Sequence, residues 1–268
     1  MPESDLRGRR VHYERAGQGP LLLLLHGIGG GARSWRPQLA DLADELAVVA
    51  WDLPVYDAAT TADGRPSMAD YADDLAALVE HVGGQRSHVL GISMGGVLAL
   101  EFYRLYPDRV STLVLADTYC GGGTLPEPER SARLARRLAA AEAPTLAALA
   151  RARAPELFSA QADAALVQEA EAIMAAIPPA GYRQRATALA HTDLRAVLPR
   201  VAVPTLVLWG DQDTVLPLAE SEVLRDGIAG AQLVVIEGAG HASNQERPAE
   251  FNAAVRAFVR AHREAGIA

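Results

Sequence analysis

Short apolar runs alternate with helically spaced stripes along most of the chain. Val11–Arg15 alternates apolar and polar positions, as a strand with one wet face does. Leu21–Leu25 is wholly aliphatic, as a strand covered on both faces is. The short link Ala16–Pro20 between them predicts an antiparallel hairpin at the N terminus. Trp35–Glu45 has helical spacing with Pro37 in its first turn, and Leu46–Trp51 reads as a buried strand ending at Asp52. Ser67 is placed to cap a helix over Met68–Val82, which Gly83-Gly84 stops. A strand over Ser87–Gly91, a helix over Ser93–Tyr106 and a strand over Val110–Ala116 follow. This rhythm predicts an α/β fold, a mostly parallel sheet with helices on both faces.

The rhythm breaks after Cys120. Gly121-Gly122-Gly123, Pro126 and Pro128 form a linker, and no strand-like run follows until Pro204–Trp209. The spacing instead predicts about four short helices, near residues 129–142, 145–157, 163–176 and 180–191. A helix near Leu218–Ile228, a strand over Gln232–Ile236 and a helix over Pro248–His262 then resume the alternation. Residues 1–120 and 200–268 are therefore expected to form one α/β core, and residues 121–199 an inserted helical lid.

Composition narrows the class. The 268 residues are half hydrophobic, enough for a large core, and the net charge of −8 argues against a nucleic-acid or anionic-membrane partner. All 25 basic residues are arginine, so no lysine is present to form a Schiff base. The single cysteine, Cys120, excludes an internal disulfide and makes a cysteine metal site unexpected. Met1–Arg10 lacks an apolar signal core, and the longest aliphatic run is too short to cross a bilayer. A cytoplasmic location follows as the expectation.

The candidate chemistry centres on Gly91-Ile92-Ser93-Met94-Gly95, between a strand and a helix. A sharp strand-to-helix turn lifts its central side chain clear of the sheet and leaves no room for bulk on either side, so G-x-S-x-G suits an exposed nucleophile. The Met94 N–H then sits at a helix start, where it can stabilise an oxyanion. A serine needs a base, and the base an orienting group. On a parallel sheet these come from loops beyond the carboxyl ends of strands. His241, in Glu237-Gly238-Ala239-Gly240-His241, is the histidine so placed, whereas His26 precedes Gly27 as a loop support. The acid is Asp213 by preference, since Asp211 can be absorbed by its turn; Asp117, also after a strand, remains the rival. The N–H of Ile28, in His26-Gly27-Ile28-Gly29-Gly30, would supply the second oxyanion donor.

Leu25-His26-Gly27, Gly91-Ile92-Ser93-Met94-Gly95-Gly96, Leu208-Trp209-Gly210-Asp211-Gln212-Asp213 and Gly238-Ala239-Gly240-His241 together resemble the α/β-hydrolase superfamily. Within it the chain is similar to the lidded branch of 3-oxoadipate enol-lactonases, small-ester esterases and carbon–carbon bond hydrolases. The resemblance implies Ser93 as nucleophile, Asp213 and His241 as its partners, a small-molecule ester or lactone as substrate, and no cofactor or metal. The sequence departs from the family at Asp52-Leu53-Pro54-Val55-Tyr56-Asp57-Ala58-Ala59, where two glycines and a serine are usual.

That departure keeps open a second chemistry on the same fold, a cofactor-free lyase, cyclase or dioxygenase. A dinucleotide site at Gly27-Ile28-Gly29-Gly30-Gly31-Ala32 with Asp52 is a weaker rival, because it leaves the Ser93 and His241 loops unexplained. Trp35, Tyr56 and Tyr119 are candidate pocket residues. Arg130, Arg133 and Arg137 would lie on one face of the first lid helix. They could hold a substrate carboxylate, although a solvated face is the commoner use of such residues.

Overall fold

The computed structural model describes residues 3–6, 9–56 and 66–262. Among these residues, eight strands form one sheet: β1 (Glu3–Leu6), β2 (Arg9–Ala16), β3 (Leu21–Leu25), β4 (Ala47–Asp52), β5 (Ser87–Ile92), β6 (Val110–Ala116), β7 (Thr205–Gly210) and β8 (Gln232–Ile236). Their order is β1-β2-β4-β3-β5-β6-β7-β8. All pairings from β4 to β8 are parallel, and β2 pairs antiparallel with both β1 and β4.

The antiparallel pair at the N terminus is β1–β2, and the expected partnership of Val11–Arg15 with Leu21–Leu25 is not formed. β4 lies between β2 and β3. The aliphatic run of β3 explains the arrangement. Leu21, Leu23 and Leu25 pack on one face of the sheet and Leu22 and Leu24 on the other. Such a strand belongs at the centre, with helices on both sides. The connection from β2 must therefore cross the start of β4. It does so through Gly17 and Gly19, both at positive φ (75° and 114°), where a Cβ would press on the backbone oxygens of Leu46 and Glu45.

Two helical layers cover the sheet. On one side α2 (Met68–His81) and α3 (Met94–Leu105) bury Tyr71, Leu75, Leu98 and Phe102. Ser67 caps α2 in a reciprocal capping box with Asp70. On the other side α1 (Arg36–Asp41) and the C-terminal helix over Pro248–Ala261 bury Leu39, Phe251, Val255 and Val259. Between β6 and β7 lie four helices, α4 (Glu127–Ala140), α5 (Ala147–Arg153), α6 (Ala164–Ala175) and α7 (Pro179–Ala190). They hold small apolar clusters of their own, one of them around Leu146, Met174, Ile177 and Tyr182. After β7 come α8 (Leu218–Gly227), the short α9 (Ser243–Glu246), which the sequence pattern does not reveal, and α10, the C-terminal helix already placed.

Candidate active site

Ser93 sits between β5 and α3 with φ 55° and ψ −122°, a left-handed conformation that L residues rarely adopt. Its neighbours make the turn possible. A Cβ on Gly91 would overlap the Gly95 carbonyl, and one on Gly95 would overlap the Leu25 carbonyl at the end of β3. The backbone around the serine is held by Ser93 N–H donating to Ala116 O (3.0 Å) and by Gly96 N–H and the Thr118 hydroxyl donating to Ser93 O.

Ser93 and His241 line the same cavity, of about 570 Å³. His241 follows β8, and its Nδ1 lies 2.8 Å from Asp213 Oδ2. The other oxygen of Asp213 accepts the N–H groups of Val215 (2.7 Å) and Leu216 (3.0 Å). These bonds fix the carboxylate, and with Nδ1 engaged the Nε2 atom is the free nitrogen of the ring. The loops after β7 and β8 are joined as well: Asp211 Oδ1 accepts the Gly238 N–H (2.7 Å) and Gln212 N–H donates to Ala239 O (2.9 Å).

Asp117 does not reach the imidazole by a hydrogen bond; it has another task. Fully buried at φ 43°, it accepts from Gly210 N–H (2.8 Å) and from the Ser243 hydroxyl (2.5 Å). It thus ties the ends of β6 and β7 to α9. Burial pushes its carboxyl up to about 7, Asp213 adding to the shift, while the electrostatic pull of the neighbouring His241 and the two bonds oppose it. A folded-state value above the unfolded one favours folding at low pH, and the contribution is lost as pH rises through about 7. Between pH 5 and 8 the wild type should therefore lose stability relative to Asp117→Asn. Urea midpoints of the two proteins across that range check this, and parallel curves would refute it.

Ile28, on the loop after β3, lines the cavity beside Ser93, and a Cβ on Gly27 would stand 3.3 Å from Ser93 Cβ. Among the described residues, neither the Ile28 nor the Met94 N–H has a hydrogen-bond acceptor. This loop is held from beneath and from the side. His26 is completely buried; its Nε2 accepts the Leu53 N–H (3.1 Å) while Nδ1 donates to Gly27 O (2.7 Å). Burial first, and then the Arg185 cation, depress its pKa to about 3, so it stays neutral. Arg185, buried on α7, donates to Leu53 O (2.8 Å) and, at 3.4 and 3.5 Å, to Ile28 O and Gly30 O. Asp52 Oδ1 is engaged by the Ala32 N–H (2.6 Å), so the acid required by a dinucleotide site serves this loop's backbone instead.

Of the aromatic candidates, only Tyr119 lines the cavity. Trp35 is fully buried against Phe251, with ring centroids 6.5 Å apart. Tyr56 packs edge-on to Tyr71 and donates its hydroxyl to Asp74 (2.6 Å). Its backbone is strapped to α7 through Gln184. Of the unusual loop, Val55 and Tyr56 are outside the cavity wall, and Asp57, Ala58 and Ala59 lie beyond the described residues. The rest of the wall comes largely from α4–α7: Arg133, Arg136 and Arg137, Arg153, Met174 and Tyr182 are among its residues. One further anchor is Glu246 on α9. Its carboxylate accepts the Gly240 N–H (2.8 Å) and binds the N–H and hydroxyl of Ser159, joining the histidine loop to the helices. Nothing local in the sequence marks Glu246 or Arg185, because their partners are distant along the chain.

The chain is 28% identical over 255 residues to 3-oxoadipate enol-lactonase 2 of Acinetobacter baylyi, covering 93% of each. It is 30% identical over 252 residues to the putative carbamate hydrolase RutD of Stutzerimonas stutzeri, covering 90% of this chain and 94% of that one. The structure of a thermophilic esterase from Thermogutta terrifontis, with malate bound, superimposes with a TM-score of 0.88 at 28% identity, over 98% of this chain and all of that one. No helix among the described residues is long and apolar enough to cross a membrane. The family defined by the alpha/beta hydrolase fold matches residues 20–248; the chain belongs to that family and is a hydrolase.

Proposed function

We propose that the chain cleaves a carboxylic ester or lactone through an acyl-enzyme on Ser93. The reading is carried by one arrangement: a serine in a left-handed turn and a carboxylate-held imidazole that line the same cavity. Ser93 Oγ attacks the substrate carbonyl while His241 Nε2 takes its proton. Asp213 keeps the ring in the tautomer with Nδ1–H and stabilises the cation that forms. The N–H groups of Ile28 and Met94 receive the negative oxygen. The imidazolium then protonates the departing alkoxide, which in a lactone stays tethered to the acyl chain. Water, activated by His241, releases the acid and restores the serine.

In this reading residues 121–199 act as a lid over the core formed by 1–120 and 200–268. The lid closes the cavity above Ser93 and excludes water from the oxyanion. The enol-lactonase and esterase among the relatives favour oxygen esters. Val55 packs against Gly181 of α7 and Tyr56 is strapped to it through Gln184, so these two residues of the unusual loop add no group to the cavity. A panel of nitrophenyl esters and small lactones tests the proposal. It predicts turnover of at least one class with a burst of one leaving group per enzyme for activated esters. No turnover of either class would overturn it.

A further inference from the structure

We propose that Arg185 is a positioning residue for the reaction at Ser93: from helix α7 it holds the loop after β3 so that the Ile28 N–H faces the carbonyl under attack. The inference rests on the hydrolase reading of the same cavity. It adds a residue that acts from outside the cavity wall, through its neighbours.

Arg185 is buried, only 4% exposed, and among the described residues its guanidinium bonds to backbone alone: Leu53 O, Ile28 O and Gly30 O. Asp52 and the Tyr71 phenol act on its charge without bonding to it, and its Nε has no partner. Burying a cation with no carboxylate against it is costly. A methionine of similar length would fill the space without that cost, so packing alone does not account for an arginine here.

The loop needs holding. Gly29-Gly30-Gly31 follows Ile28 and leaves the backbone wide freedom. Gly27 O accepts from the Gly30 N–H (3.0 Å) and from His26 Nδ1–H (2.7 Å). In a trans peptide the N–H points opposite to the C=O, so anchoring Gly27 O fixes the direction of the Ile28 N–H. His26 is steadied in turn by the Leu53 N–H, and Leu53 O makes the shortest of the Arg185 bonds. Arg185 thus grips Ile28 O and Gly30 O directly and reaches Gly27 O through Leu53 and His26. Gly181, Gln184 and Arg185 share one face of α7. Gly181 admits Val55, and Gln184 pairs with both the N–H and the O of Tyr56 (2.9 and 2.6 Å). Those two residues fasten α7 to the segment after β4; of the three, Arg185 carries the attachment on to the Ile28 loop.

Arg185→Met, Arg185→Lys and Gln184→Ala are compared by steady-state kinetics on the best ester or lactone, by thermal unfolding and by residue-resolved amide exchange. Arg185→Met should lower kcat about tenfold to a hundredfold with KM within about threefold, because the oxyanion forms only on the way to products. Arg185→Lys keeps the charge but reaches fewer carbonyls, and should recover part of kcat. In Arg185→Met the Gly30 and Leu53 amides should exchange about tenfold faster than in wild type, or more. Gln184→Ala should free the Tyr56 amide and lower Tm, yet leave the Gly30 and Leu53 amides protected and kcat within about twofold. Should Arg185→Met fail to fold, Arg185→Lys against Gln184→Ala makes the same comparison with severalfold effects. If wild type turns over no ester or lactone, the hydrolase reading fails on its own, and exchange still decides whether Arg185 holds the loop. Gly30 and Leu53 amides that exchange as in wild type in the Arg185 variants would overturn the assignment, as would a kcat that falls as far in Gln184→Ala.

Discussion

Ser93→Ala should lower kcat/KM for the best ester or lactone by roughly a thousandfold or more, and His241→Gln by a similar factor. The expectation follows from how the groups depend on one another. Without the hydroxyl there is no acyl-enzyme, and without the imidazole the hydroxyl is a weak nucleophile at neutral pH. Either loss disables the same step, so the double variant should be little worse than each single one. Residual activity would reflect the cavity and the oxyanion donors alone. Asp213→Asn should have a smaller but still large effect, since the amide presents no second anionic oxygen and can favour the wrong imidazole tautomer. Steady-state kinetics on the four proteins measure this. A loss below tenfold in both single variants would remove Ser93 and His241 from the mechanism.

Gly95→Ala should cost about 3 kcal/mol or more, lowering Tm by roughly ten degrees if the protein still folds. The residue stands where the start of α3 crosses the end of β3. A methyl group there would overlap the Leu25 carbonyl and press on that of His26, and neither is the end of a flexible side chain. β3 and β5 pair along Leu22–Leu25, so the helix cannot move away without breaking central sheet contacts. Gly83→Ala is the informative contrast. Gly83 has φ 83° but open space around its Cβ position, so only the local backbone penalty of about 1 kcal/mol is expected. Thermal unfolding of both variants separates steric overlap from conformational strain. Equal losses would mean that the close approach at Gly95 is not what the turn requires.

The same overlap explains why this part of the site can be read from sequence. A turn that tolerates no Cβ at Gly91 or Gly95 leaves a fixed local signature around Ser93. The loop around Gly238 and Gly240 marks His241 in a similar way, with Gly238 at φ 67°. The helices of residues 121–199 are legible too, because Pro and Gly punctuate an otherwise helical composition. What stays hidden depends on long-range partners. The alternation of Val11–Arg15 announces a strand but not that β4 will separate it from β3. Trp35 and Tyr56 are large and aromatic, yet their size cannot say that one packs on Phe251 and the other serves Asp74. Asp117 and Asp213 both follow strands. Only the folded chain shows that one meets His241 and the other Ser243. Glu246 and Arg185 are single polar residues whose meaning appears once Ser159, Leu53 and Ile28 come within reach.

The claim that Ser93 is the nucleophile, activated by His241, is tested most directly by reaction with a fluorophosphonate followed by intact mass and peptide mapping. The account predicts a single adduct on the peptide carrying Ser93, absent from Ser93→Ala and formed far more slowly in His241→Gln. An adduct on another residue, or a rate unchanged by loss of the imidazole, would contradict it.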